Sequence, residues 1–457
     1  MKFQSKAIEE HREVPLADEG QLEDLVARWA SRHQGSATPV GGANRCYVVS
    51  VGASSDDVQR EAQLAEILGL VRAQGDEVVG HETLRRPVPD PRTYLGRGAA
   101  NEVAAHAAER GADMLVLDAE LSPSQARNLE DVTGLPVCDR EAVILNVFLR
   151  HARTRRARIQ VEIAHLEYLR PRIRGLGLDM DQQAGGMVKA RGPGETASEL
   201  LARRLDGRLA ELHKQFARLV RAGDTQRRGR DTCARVVLVG YTNAGKTSLM
   251  NALTAAGLSA RDMPFETLDT TSRSLTRHGG DVILSDSVGF IRRLPPRLLA
   301  SFESTLAEIS EASLVVIVVD VSDPEWEMHV ATTEAQIARL GAGEVPRLYV
   351  FNKVDRVDVS PADERLASIC GGHEWLAVCS QDAEKVERLR AAILRAARRE
   401  HRQVKVFVPY EATAVMASAY AECRVIATEA AARGLVLTLE GAPHVVARLQ
   451  RAAKEVR

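Results

Sequence analysis

Apolar positions along this chain follow two periods in turn. Cys46 to Val51 is an almost unbroken apolar run, which predicts a strand covered on both faces. From about Asp56 to Gln74, Ala62, Leu64, Ile67, Leu68 and Val71 recur at helical spacing and predict a helix with one apolar face. Met114 to Leu117 and Leu135 to Cys138 are further strand runs, so residues 45–140 are expected to form a small parallel α/β domain. Two long helices are expected at Glu141 to Leu169 and Glu195 to Arg221, with a glycine-rich tip from Gly175 to Gly194. Five buried strands follow: Arg235 to Val239, Val282 to Ser285, Leu314 to Val319, Leu348 to Phe351 and Leu376 to Val378. Helical stretches separate most of them, as a doubly wound sheet requires. From Val404 the order reads strand, helix, strand, helix: Val404 to Val408, Thr413 to Glu422, Leu435 to Leu439 and His444 to Lys454. The expected fold class is therefore α/β and multidomain. Its parts are a polar extension over 1–44, the α/β domain over 45–140, a helical hairpin over 141–230, a nucleotide domain over 231–402 and a small α+β domain over 403–457.

At 457 residues and 45% hydrophobic content the chain can support several cores. The net charge of −1 excludes a polyanion binder acting through its whole surface. Residues 150–230 are different, with 19 Lys or Arg against 9 Asp or Glu. The hairpin is either a solvated charged pair of helices or an element that neutralises RNA phosphate. No aromatic ladder accompanies it, so stacking on single-stranded bases is not indicated. Cys46, Cys138, Cys233, Cys370, Cys379 and Cys423 are scattered without a Cys-x-x-Cys pair, which argues against a zinc site or a disulfide framework and fits a reducing cytoplasm. The first residues alternate in charge and do not read as a signal peptide, and Leu314 to Val319 is far too short to span a bilayer.

Gly240-Tyr241-Thr242-Asn243-Ala244-Gly245-Lys246-Thr247 fits Gly-x-x-x-x-Gly-Lys-Ser/Thr, after a strand and before a helix. The glycines let the backbone curl so that successive N–H groups face phosphates. Lys246 supplies charge to the β- and γ-phosphates, and the Thr247 hydroxyl can ligate Mg²⁺. Asp286-Ser287-Val288-Gly289 follows the next strand. Asp286 can hold Mg²⁺ through water, and the Gly289 N–H can meet the γ-phosphate. In Asn352-Lys353-Val354-Asp355, one carboxylate accepts both adjacent donors of guanine, which adenine lacks, so Asp355 selects GTP. Between the first two motifs, Phe265-Glu266-Thr267-Leu268-Asp269 reads as a switch segment that senses the γ-phosphate. Thr267 is the expected Mg²⁺ ligand, with Thr270 and Thr271 as competitors. Lys246, Thr267 and Gly289 are thus the expected catalytic groups, and the fold of this domain is expected to be that of a Ras-like P-loop GTPase. Phe290 stands where Ras-like proteins carry the glutamine that orients the attacking water, so unaided turnover is expected to be slow. Gly96-Arg97-Gly98 is too short for a second phosphate loop and reads as a turn.

These motifs, with Asp286 to Pro295 read as one stretch, resemble those of the HflX family of translational GTPases. So do Asp90 to Gly96, Glu120 to Gln125, Gln160 to Tyr168 and Arg191 to Glu195, outside the nucleotide domain. The resemblance covers residues from about 46 to the end. It implies a cytoplasmic protein, monomeric when free, that binds the large ribosomal subunit and its RNA in a GTP-dependent way and splits or rescues stalled ribosomes; the alternatives are a weakly hydrolysing GTP-dependent scaffold on RNA or ribosomes and a ribosome-assembly GTPase. It further implies that Asn243 helps to hold K⁺ beside the phosphates. Three departures stand out. In Val378-Cys379-Ser380, the expected last guanine contact, Cys379 and Ser380 replace the family's Ser-Ala, and the glycines that follow are missing. Glu266 stands where alanine is common. Ala197-Ser198 replace Gln-Leu.

Overall fold

The computed structural model describes residues 43–52, 56–183, 197–228, 233–254, 271–275, 282–295, 298, 308–357, 364–399, 401–441 and 443–455, and every statement below concerns these. The polar extension up to residue 42, most of the glycine-rich hairpin tip and the switch residues Phe265, Glu266, Thr267, Leu268 and Asp269, with Thr270, lie outside them.

The first unit runs β1 (Arg45–Gly52), α1 (Asp57–Ala73), β2 (Glu77–Arg85), α2 (Arg97–Glu109), β3 (Met114–Leu117), α3 (Pro123–Thr133), β4 (Val137–Asp139) and α4 (Arg140–His151). Its strands lie in the order β2-β1-β3-β4, parallel throughout. Both faces are covered, which is why β1 and β3 read as apolar runs without alternation. Cys46 and Val48 point into one core and Tyr47, Val49 and Val51 into the other, at the period of two that a strand imposes. Local chemistry sets the helix starts. The Asp56 carboxylate accepts from Val58 N–H, Ser122 and Gln125 form a capping box, and Asp139 Oδ1 accepts from Ala142 N–H.

The single helix expected over 141–169 is two. α4 stops at His151, and α5 (Arg155–Gln183) begins after Thr154, whose hydroxyl accepts from Ala157 N–H at 3.1 Å. α4 packs Val143, Ile144, Val147 and Phe148 into the core beneath β1, so the hairpin starts at Arg155 rather than at 141. α6 (Ala197–Arg228) is its second arm. Leu205, Leu209 and Leu212 meet Val161, Ile163 and Leu169 along the seam, and Arg170–Asp206 and Arg208–Glu162 bridge the two arms at 2.7 Å.

The next unit is a six-stranded sheet, β10-β9-β8-β5-β7-β6. Its elements in chain order are β5 (Ala234–Gly240), α7 (Lys246–Thr254), β6 (Thr271–Ser274), β7 (Val282–Asp286), β8 (Leu314–Asp320), α8 (Trp326–Arg339), β9 (Arg347–Asn352), α9 (Glu364–Ile369), β10 (Glu374–Ala377) and α10 (Ala383–Ala397). β6 was not expected. It is an antiparallel edge strand of sequence Thr-Ser-Arg-Ser, which carries no apolar pattern. The last unit is β11 (Arg402–Pro409), α11 (Thr413–Glu422), β12 (Arg424–Ala431), β13 (Gly434–Gly441) and α12 (Pro443–Glu455). Here the expected strand-helix-strand-helix order gains β12, the mostly exposed edge of an antiparallel sheet ordered β11-β13-β12.

The first and second units meet through a buried ion cluster. The Arg140 side chain, 2% exposed, donates Nη1 to Asp118 Oδ1 at 2.5 Å. Its Nη2 donates to Glu66 of α1 and, at 2.8 Å, to the Arg292 carbonyl oxygen of the nucleotide unit. Burial opposes this charge, but Asp118 and Glu66 outweigh it and keep the guanidinium protonated. α5 is pinned to the first unit in the same manner, with Tyr168 Oη and Arg172 Nη2 donating to Asp139 at 2.9 and 2.7 Å. Removing one member of a buried cluster strands the others. Arg140→Ala is therefore expected to lower the unfolding free energy by about 3 kcal/mol in urea titration, whereas Arg208→Ala, at an exposed pair, should cost no more than about 0.5 kcal/mol. Equal losses would contradict this account of how the first two units are joined.

Candidate functional site

The site lies at the carboxyl ends of β5, β7, β8 and β9, where an open parallel sheet leaves a crevice. β5 delivers the loop Gly240 to Thr247, and two of its glycines answer to close approaches. Gly240 has φ 151, and a Cβ there would lie 2.2 Å from the Val318 carbonyl oxygen of β8. Gly245 has φ 90, and a Cβ there would lie 2.3 Å from Asn352 Nδ2. Asn352, at the end of β9, donates this same amide to the Ala244 carbonyl at 3.0 Å and so straps the loop from the far side. Asn243, exposed at the tip, takes φ 63, which asparagine tolerates better than most residues.

Lys246 opens α7 with a buried side chain. Its Nζ donates to the Gly240 and Tyr241 carbonyls at 3.2 and 2.8 Å. Burial pushes its pKa down to about 8, against the pull of Asp286. Thr247 Oγ1 donates to Asp286 Oδ2 at 2.7 Å. A hydroxyl and a carboxylate in contact at a helix N-terminus form a hard oxygen donor pair, the chemistry Mg²⁺ requires. The fold thus brings together two residues 39 positions apart in sequence.

After Asp286 the chain turns back over the loop. Ser287 N–H donates to Leu238 O at 3.2 Å, Phe290 N–H to Gly240 O at 3.0 Å, and Thr242 N–H to Phe290 O at 2.7 Å. Val288 is buried beneath this turn. A Cβ on Gly289 would lie 2.9 Å from Thr242 Cγ2 and 3.1 Å from Lys246 Nζ. The Phe290 ring is 2% exposed within the core, so it packs and does not face the crevice.

On the other side, Lys353 has φ 62 and pairs with Asp320 at 2.7 Å, and Val354 to Arg356 form one turn of 3₁₀ helix. Asp355 is exposed. The Cys379 thiol donating to its carboxylate, and then its own N–H, hold it below the usual carboxylate range. Val378 N–H donates to Phe351 O at 2.8 Å and Asp382 N–H to Cys379 O at 3.0 Å. The loop Val378 to Ser380 thus sits beside Asp355 without the glycines that resemblance led one to expect. Asp382 closes it by capping α10 through Glu384 and Lys385 N–H, both at 3.1 Å.

Glu66, also close to the site, carries no motif. Tyr241 Oη donates to Glu66 of the first unit and accepts from Arg292 N–H at 2.9 Å. Its ring stacks on His329 with centroids 3.7 Å apart. Arg292 also pairs with Glu325. Nothing in the pattern around Glu66, in the middle of an ordinary amphipathic helix, signals this contact.

Three family profiles match successive stretches: "GTP-binding GTPase N-terminal" over 61–149, "GTP-binding GTPase Middle Region" over 151–230, and "50S ribosome-binding GTPase" over 235–353. Among similar proteins, the GTPase HflX of Gluconacetobacter diazotrophicus is 38% identical over 436 residues, covering 87% of this chain and 94% of that one. That of Caldanaerobacter subterraneus is 35% identical over 372 residues, covering 81% and 84%. A solved GTP-binding protein of Sulfolobus solfataricus, in complex with GDP, is 20% identical with a TM-score of 0.43, covering 78% of this chain and 99% of that one. A relative 38% identical that spans nearly nine-tenths of the chain settles its membership: the protein belongs to the HflX family of GTPases.

Proposed function

We propose that this GTPase takes GTP and GDP into the crevice between Gly240–Thr247 and Asn352–Asp355, and cycles between them while associated with the large ribosomal subunit and its RNA. The observation that carries the proposal is the joint placement of Lys246, Thr247, Asp286 and Gly289 around one loop, with Asn352 strapping that loop and Asp355 beside it. In this reading Lys246 and the loop N–H groups hold the phosphates. Thr247 and, through water, Asp286 hold Mg²⁺, which supplies charge to the β- and γ-phosphates. Thr267 completes that set on GTP binding, and Phe265 to Asp269 follow it as a switch. Asp355 accepts from the guanine edge, with Lys353 and Val378 to Ser380 lining the base. K⁺ beside Asn243 adds positive charge that no arginine of the loop provides.

The hairpin's surplus of basic residues, together with the match to the 50S ribosome-binding GTPase profile, supports the large subunit as partner. The biochemical role is the splitting or rescue of stalled ribosomes in the cytoplasm by a chain that is monomeric when free. The buried Phe290 ring leaves the attacking water without an orienting side chain from that position, so the site is completed on the ribosome.

Hydrolysis measured in potassium buffer, alone and with isolated large subunits, tests this. Stimulation of about tenfold or more is expected. Tight GTP binding without stimulation would instead make the protein a nucleotide-dependent scaffold. Replacing potassium by sodium should slow the stimulated rate, and equal rates would remove the ion from the scheme. Asp355→Asn should weaken GTP binding by at least about tenfold, because guanine donors lose their acceptor.

Lys246 gives a pH dependence of known sign. Its pKa is pushed down to about 8, below the ordinary lysine value, while a bound phosphate favours the charged form. Binding is thus fully supported below about 8 and is lost as the pH rises through it, with GDP affinity falling about fivefold from pH 8 to pH 9. Lys246→Arg should bind more weakly with a flat profile over that window. An equally steep profile in the variant would assign the titration to another group.

A further inference from the structure

The backbone N–H and carbonyl of Arg292 are both held, and both holds lead to one residue of another unit. Its N–H donates to Tyr241 Oη at 2.9 Å, and Tyr241 Oη donates to Glu66. Its carbonyl accepts from Arg140 Nη2 at 2.8 Å, and the same guanidinium nitrogen donates to Glu66. The Arg292 side chain faces Glu66 as well, with Nε 3.8 Å from Oε2, and pairs with Glu325. Glu66 belongs to α1, which packs against the first sheet and carries none of the nucleotide motifs.

Arg292 lies three residues beyond Gly289. Between them Phe290 is fastened to the loop by hydrogen bonds to Gly240 and from Thr242. The strap 288–292 is thus closed at one end by the loop and at the other by the Glu66 node. In this closed position Gly289 sits against Thr242 and Lys246, with a Cβ direction only 3.1 Å from Lys246 Nζ. A γ-phosphate held by both Lys246 and the Gly289 N–H has to enter between them, whereas GDP makes neither contact there, so the position of the strap bears on GTP and not on GDP. A cavity of about 580 Å³ beside the node, bounded by Glu61, Ala65, Asn243 and Asp323, gives the Arg292 side chain room to move when the strap lifts.

We infer that Glu66 is a positioning residue for the nucleotide site: from the first unit it holds the strap closed over the γ-phosphate position through Tyr241 and Arg140, and so lowers affinity for GTP relative to GDP. The coupling is reciprocal. Whatever factor Glu66 takes from GTP binding, GTP takes from the docking of the first unit on the second. The inference rests on Lys246 and Gly289 being the γ-phosphate contacts. It does not depend on the ribosome.

The test is binding of fluorescent GDP and of a fluorescent non-hydrolysable GTP analogue to the full chain, unaltered and as Glu66→Ala, Glu66→Gln and Tyr241→Phe. Glu66→Ala should tighten the GTP analogue about fivefold or more while GDP changes by less than about twofold, and Tyr241→Phe should raise the ratio of GTP-analogue to GDP affinity in the same direction. Glu66→Gln keeps an acceptor for Tyr241 and should fall between these and the unaltered chain. Tyr241→Phe removes one hydroxyl and keeps the ring on His329, so it probes the same link even where Glu66→Ala fails to fold. An unchanged ratio of the two affinities, or both nucleotides shifting together, would overturn the inference. Failure of the unaltered chain to bind GDP at all would overturn the site first, and the inference with it.

Discussion

A buried guanidinium cannot be left with unmet charge, and much of this molecule's arrangement follows from how that constraint is met at Arg140. The residue opens a helix immediately after the last strand of the first sheet, with Asp118 at the end of the neighbouring strand on one side and Glu66 on the other. Its Nη2 also reaches a backbone carbonyl of the nucleotide unit. The cost of exposing any one of these partners to an apolar interior fixes how the two units face each other. Apolar packing alone, being non-directional, would tolerate sliding. A single continuous core then fills in around this frame, from Ile67 and Phe148 through Leu169 and Leu212 to Phe290, Ile317 and Phe351.

What could be read from the residues divides along the reach of the physics. Phosphate recognition is local, since a strand, a curled loop and a helix terminus are consecutive in the chain. The loop Gly240 to Thr247 and the ends of β7 and β9 were therefore legible from spacing alone. Strands covered on both faces were legible because burial leaves an apolar run. The strands that escaped notice, β2, β6 and β12, are edges of their sheets, where half or more of the side chains meet solvent and no run survives. The break between α4 and α5 turned on one threonine cap within an otherwise helical stretch. Contacts between units were not legible at all. Glu66 and Tyr241 are separated by 175 positions, and neither stands in a pattern that names the other.

Departures from family pattern acquire physical content in the structure. Phe290 is a packing residue whose backbone, not its ring, engages the loop, so its hydrophobicity serves the core while its peptide shapes the crevice. Cys379 occupies the position beside Asp355 and offers a thiol to the carboxylate, so a change of side chain there alters the strength of a contact and does not abolish it. The missing glycines of that loop matter little to its course, because Asp382 caps the following helix and fixes the turn by other means.

The three-stranded sheet at the end of the chain stands apart in one respect. Its apolar cluster, from Val406 to Ala453, draws on no residue of the other units among those described, whereas the first unit, the hairpin and one face of the nucleotide sheet share theirs. Sequence drift in the last unit is thus absorbed where it arises, while a change at Phe148 or Phe290 is transmitted across three units at once. Within one polypeptide, the tempo of evolution is set at the level of the core and not of the domain: one part is free to acquire new surfaces, and the remainder has to change in concert or hardly at all.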